Sequence, residues 1–160
     1  SVGAPPWPAP ADTASAVRAA GLSLDPEMGT AMHIHQKLRI VVDGAEVPVA
    51  QNIGVDAAGR MSGLHTHDST GIVHVESATV RDFTLGQLFQ EWRVPLGEGR
   101  IGTFAEGKKD ARVEAFVNGK KATGSLASIR LKDRQDIAIV VTRDGSAPTA
   151  PTPFDWSTAS

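Results

Sequence analysis

From Met32 onward the chain alternates apolar and polar residues with a period of two. Ile34, Leu38 and Ile40 fall on one face of an extended segment, and His33, His35, Lys37 and Arg39 on the other. This is the pattern of a strand with one side on a core and the histidines turned away from it. The apolar run at 38–42 ends at Asp43-Gly44, and a second strand-like run follows at 46–49. Asp-Gly in that position predicts a two-residue hairpin, because a type I′ turn needs positive φ at both central residues. Asn118-Gly119 predicts a second hairpin after a strand at 112–117. Further strands are predicted at 72–76, 128–132 and 136–142.

Two helices interrupt this pattern. Asp12 is placed to cap a short helix at 13–20, stopped by Gly21. Thr84 followed by Gln87 reads as a capping box, with Phe83 and Leu88 spaced for a hydrophobic staple. Leu85, Leu88, Phe89 and Trp92 then repeat at i, i+3, i+4 and i+7, and Pro95 ends the helix. The expected fold is therefore α+β and β-rich. It comprises two hairpin-based antiparallel sheets, or a small barrel or β-grasp-like lobe toward the C-terminus, with one helix packed across. Residues 1–11 read as linker-like and residues 22–30 as a loop with a turn at Asp25-Pro26. Residues 12–143 read as one globular domain, with a histidine-rich lobe at 31–95 and a basic lobe at 98–143. Residues 144–160 read as a tail pinned by Phe154 and Trp156.

Charge and composition narrow the function. A formal net charge of −2 argues against nucleic-acid binding. Between Arg100 and Arg134, however, nine Lys/Arg face four Asp/Glu, so the basic lobe is a candidate surface for an anionic partner or a lipid headgroup. The longest apolar runs, such as 137–141, are too short to span a bilayer. The absence of cysteine excludes disulfides, thiolate catalysis, zinc–cysteine sites and iron–sulfur clusters. The Pro/Ala-rich start, Ser1-Val-Gly-Ala-Pro-Pro-Trp-Pro, reads as the end of a linker after a removed signal or anchor, with an artificially chosen start an equal explanation.

The chemistry concentrates in five histidines, all between His33 and His74. They form the words His33-Ile-His35, His65-Thr-His67 and His74-Val-Glu76. Residues two apart on a strand leave the same face, so each word offers two neighbouring donors, and three words from different strands can converge on one ion. The candidate ligands are His33, His35, His65, His67 and His74, closed within one chain or shared across a homo-oligomer. Neutral imidazole suits copper or zinc, and Met32 and Met61 lie nearby in sequence as thioethers that would favour Cu(I). Asp68 and Glu76 are candidates for orienting a bound imidazole or for general-base work beside a metal-bound water. Gly-x-Ser-x-Gly, phosphate-loop, dinucleotide-binding and His-Glu-x-x-His motifs are all absent.

The segment Leu64-His-Thr-His-Asp-x-x-Gly-Ile-x-His-Val-Glu-Ser77, followed by Phe83-Thr-Leu-Gly-Gln-x-Phe-x-x-Trp92, resembles an uncharacterised family of bacterial domains. The likeness extends over roughly residues 31–142. It implies an extracytoplasmic setting, often with a membrane anchor outside the domain, and carries His65, His67 and His74 over as the shared polar residues. It implies no activity. Three readings follow: an extracytoplasmic metal-binding domain, a metal-dependent enzyme of hydrolytic or redox type, and a non-metal interaction domain using the basic lobe.

Overall fold

A computed structural model describes residues 2–24 and 31–158. The expected turn at Asp25-Pro26 lies outside them. In chain order the elements are α1 (Thr13–Ala19), β1 (Met32–Val42), β2 (Ala45–Val47), β3 (Leu64–Thr66), β4 (Ile72–Ser77), α2 (Leu85–Trp92), β5 (Leu96–Gly97), β6 (Arg100–Ile101), β7 (Phe104–Ala105), β8 (Arg112–Val117), β9 (Lys120–Lys121) and β10 (Gln135–Thr142). A seven-stranded sheet runs in the order β3-β4-β1-β10-β8-β9, with β2 also on β1. The strands β5-β6-β7 form a separate three-stranded antiparallel sheet. The fold is α+β and β-rich, with no closed barrel among the described residues.

Local signals in the sequence explain the hairpins and helices. Asp43 and Gly44 take φ of 49° and 82°, and Asn118 and Gly119 take 52° and 83°, as a type I′ turn requires. The Asp12 carboxylate accepts the Ser15 N–H at the start of α1. At α2 the Thr84 hydroxyl accepts the Gln87 N–H while the Gln87 side chain accepts the Thr84 N–H, completing the capping box. Leu85, Leu88, Phe89 and Trp92 are each 1% exposed or less and share one core with Leu38, Ile40, Val73, Val75, Ile137 and Ile139.

The structure departs from the expected arrangement in several ways. The large sheet is mixed, because β1 and β10 pair in parallel, from Gln36 opposite Gln135 to Val42 opposite Val141. This pair joins the histidine-rich and basic regions into one sheet. The strand expected at 128–132 is instead a 3₁₀ turn, Leu126–Ser128, and extended chain with an isolated bridge from Arg130 to Thr84. The segment crosses the start of α2, where the Leu85 N–H donates to the Ile129 carbonyl, so it has a helix end as partner rather than a sheet.

The linker-like stretch contributes to the core. Trp7 is 3% exposed, its ring meets Trp92 edge-on, and its carbonyl accepts the Trp92 indole N–H at 2.8 Å. The tail is held by its backbone at Thr152 and Phe154. Arg39 donates to the Thr152 carbonyl, and Asp136 accepts both the Arg39 guanidinium and the Phe154 N–H. No described helix is long and apolar enough to cross a membrane.

Candidate metal centre

Strand register builds the site. His35 of β1 lies opposite His74 of β4, and His74 lies opposite His65 of β3, so pairing alone sets three histidines in a row across the sheet. Directly opposed residues of antiparallel strands hold their Cβ atoms about 4.5–5.5 Å apart. One pleat along, His33 lies opposite Glu76. Gly63 lets β3 approach this closely, since a Cβ there would stand 2.6 Å from the Glu76 carbonyl oxygen.

The rings are contiguous. The His65 and His74 rings stack at 5.4 Å with an interplanar angle of 4°, and His67 lies 4.7 Å from His65 and 4.5 Å from His74. His35 lies 4.7 Å from His74 and 4.9 Å from His33. His65 is fully buried, His74 and His35 are partly buried, and His67 and His33 reach solvent.

One hydrogen bond decides the tautomer of His65. Its Nδ1 lies 2.7 Å from the Ser62 carbonyl oxygen. A carbonyl can only accept, so Nδ1 carries the proton and Nε2 keeps its lone pair. That Nε2 stands 3.2 Å from His67 Nε2. Two nitrogens bound to one zinc at 2.0–2.1 Å and a tetrahedral angle stand roughly 3.3 Å apart. His74 adds a third ring, and one nitrogen from each of the three lies within 4.8 Å of the others. The Ser62 carbonyl acts on His65 as outer hydrogen-bond partners act on metal-bound imidazoles, fixing ring orientation and tautomer.

Electrostatics keep these rings neutral. Burial pushes the His74 pKa down to about 4, helped by the neighbouring imidazoles of His67, His35 and His65. Burial also lowers His65, against the Ser62 hydrogen bond, which raises it. His35 is lowered by burial and then by His33. At neutral pH these three therefore present lone pairs rather than protons, the form a metal requires.

Of the five expected histidine ligands, the geometry gathers three within reach of one ion. His65, His67 and His74 come together as one donor group. His35 adjoins it only through His74, and His33 lies at the far end, 3.3 Å from Glu76 Oε1. Asp68 spends an oxygen on the Thr70 N–H and hydroxyl, which lower its pKa, and no described hydrogen bond joins it to a histidine. Met32 packs against the core, away from the histidine face of β1.

A cleft of about 570 Å³ opens on His33, His35, His74 and Asp68, with Lys37, Phe154 and Trp156 among its walls. A slightly larger hollow of about 630 Å³ beside Thr84, Gln87 and Arg100 holds no histidine, so size alone does not mark the site.

Sequence reasoning missed Ser62 and Glu91. Glu91 is 1% exposed, and neither carboxyl oxygen makes a hydrogen bond. Burial pushes its pKa up to about 8, while the nearby Ser62 hydroxyl, which favours the charged form, offsets only part of the effect. A signal was present, because Glu91 stands three residues after Leu88, at the edge of the apolar stripe of α2.

No protein-family model matches the chain, and neither a curated protein nor a solved structure matches it. The functional reading therefore stands on the geometry of the site.

Proposed function

We propose that this chain is an extracytoplasmic metal-binding domain that holds a copper or zinc ion between His65, His67 and His74, in a metal-handling or metal-stabilised role. The carrying observation is the buried His65, protonated at Nδ1 against Ser62 and turning its Nε2 lone pair to within 3.2 Å of His67 Nε2. Three imidazoles without a thiolate suit Zn(II) or Cu(II) better than Cu(I). The extracytoplasmic setting rests on the resemblance of the 64–92 motif to bacterial domains of that placement.

The test is elemental analysis of the purified chain after dialysis against excess zinc or copper, repeated on His67→Ala and His74→Ala. The reading predicts bound metal in the parent chain, with the ion of this site lost in each variant. Retention of every bound ion by both variants refutes it.

The cleft favours a second reading, a metal-dependent enzyme, because it gives small molecules a route to the His74 side of the centre. Water-proton relaxation with Cu(II) bound separates the two. An exchangeable water on the metal supports the enzyme, and a shell closed by protein donors supports metal handling. The basic lobe has less to recommend it as an interaction surface, since Arg112, Lys121 and Arg130 are paired with Glu106, Glu114 and Asp82.

A further inference from the structure

We propose that His33, His35 and Glu76 form a second cation site beside the three-histidine centre, making the cluster a two-ion site. The inference rests on the metal reading above and concerns how many ions the cluster holds.

The argument begins from the sheet. A single ion between His65 and His67 sits toward β3, the edge strand, and His74 closes it from β4. The remaining donors lie toward β1 and along the strands. Glu76 and His33 face each other one pleat away from the His65–His74–His35 row, and strand rise puts neighbouring same-face rows about 7 Å apart. No described ring contact joins His33 to His65, His67 or His74, whereas His33 contacts both His35 and Glu76. The five histidines expected around one ion thus divide into three and two, and Glu76 joins the two through His33.

The second group is anchored from behind. The His35 N–H donates to Asp133 Oδ1 at 3.0 Å, and the His35 carbonyl accepts the Arg134 N–H at 2.7 Å. The Glu76 N–H donates to the Gly63 carbonyl at 2.8 Å. These three donors do not yet share the mutual spacing that His65, His67 and His74 have, so side-chain rotation on a fixed backbone has to gather them. Rotation of the half-exposed His33 ring about its own side chain brings it toward His35. The cleft opens directly on His33 and His35, leaving room for water to complete the shell. Two imidazoles and one carboxylate with open positions suit a borderline divalent cation, Zn(II) or Cu(II).

The experiment counts ions. The full chain is dialysed against Zn(II) and, separately, Cu(II), and metal per chain is measured alongside His67→Ala and the double variant His33→Ala/Glu76→Gln. These positions are exposed or partly exposed, so folding is retained, and circular dichroism checks it. Two ions per parent chain are expected, with one in each variant, and the copper-loaded parent should show electron-spin coupling between neighbouring Cu(II) ions. One ion in the parent, unchanged in the double variant, overturns the second site and leaves the three-histidine reading standing. Two ions retained by the double variant, or two without spin coupling, place the second ion elsewhere and also overturn it. No bound ion in the parent overturns both.

Discussion

Replacing Glu91 by glutamine should abolish part of the pH dependence of this protein's stability. The carboxyl is buried at 1% exposure with neither oxygen hydrogen-bonded, and its pKa rises from an ordinary 4.5 to about 8. The folded chain therefore keeps a proton that the unfolded chain has already released across that window. Because the folded state binds more protons there, stability is full below pH 4.5, falls as pH rises toward 8, and is flat above it. At 1.36 kcal/mol per unit the whole loss is roughly 4–5 kcal/mol. Glutamine preserves the volume and carries no charge, so that slope disappears. Its amide brings donors that need partners in the same pocket, at a cost of about 1–3 kcal/mol at every pH.

Urea unfolding of the metal-free protein, in chelator and at constant ionic strength, measures the effect at pH 5, 6.5 and 8.5. At pH 5 the variant should be equal to the parent or weaker. At pH 8.5 it should be the more stable protein by roughly 1–4 kcal/mol, the proton-linked gain less the amide cost. The histidines act in the opposite sense. The lowered pKa values of His35, His65 and His74 remove stability as pH falls below 6.5 toward the folded value, about 4 for His74. That contribution is common to both proteins and cancels in their difference. A difference between variant and parent that stays constant from pH 5 to pH 8.5 would refute the buried, protonated carboxyl.

Two further expectations follow from the site and from the tail. Because His74 titrates near 4 and His65 and His35 are also lowered, metal should stay bound to well below pH 6.5, where ordinary imidazoles protonate; metal release followed by a chromogenic chelator checks this, and release centred at pH 6.5 or above contradicts it. Asp136→Asn weakens the buried pairing with Arg39 (N···O 2.8 Å) and the bond to the Phe154 N–H, so it should cost about 2–4 kcal/mol and change Trp156 fluorescence; unchanged stability would show that the pair does not hold the tail.

The parts of this molecule legible in its sequence are those whose cause is local. Asp43-Gly44, Asn118-Gly119 and the Thr84/Gln87 box need only near neighbours to do their work, and each forms as expected. The histidine words were legible for the same reason, since alternation along a strand decides their face. How those words divide was not. Which ring meets which depends on the register of His35 against His74 and of His74 against His65, and that register is set by three strands separated by loops. The parallel pairing of β1 with β10 joins residues about a hundred positions apart, and nothing near either strand announces it. The segment 128–132 has the alternation of a strand, with Leu131 buried and Arg130 exposed, yet tertiary placement gives it α2 as a neighbour rather than a sheet.

The placement of the donors has a mechanical consequence. β3 is three residues long and lies at the edge of the large sheet, where so short a strand has little pairing of its own. Its outer side is covered by the loop at 52–53, through the Asn52 N–H to the Thr66 carbonyl and the Thr66 N–H to the Ile53 carbonyl. Its inner side is held by β4 and by the Ser62–His65 hydrogen bond, with the buried Glu91 carboxyl packed behind Gly54 and Ser62. An ion joining His65 and His67 to His74 would fasten this edge to β4, where backbone pairing is three residues long. Metal binding at these three histidines would thus be coupled to local order at β3. The stabilisation an ion would provide, about 2.7 kcal/mol at a hundredfold excess over its dissociation constant, would act on the loop–strand unit at 52–67 and, through His74, on β4. An ion bound to exposed histidines alone would leave that edge as it is. It is the burial of His65 that makes this centre part of the fold.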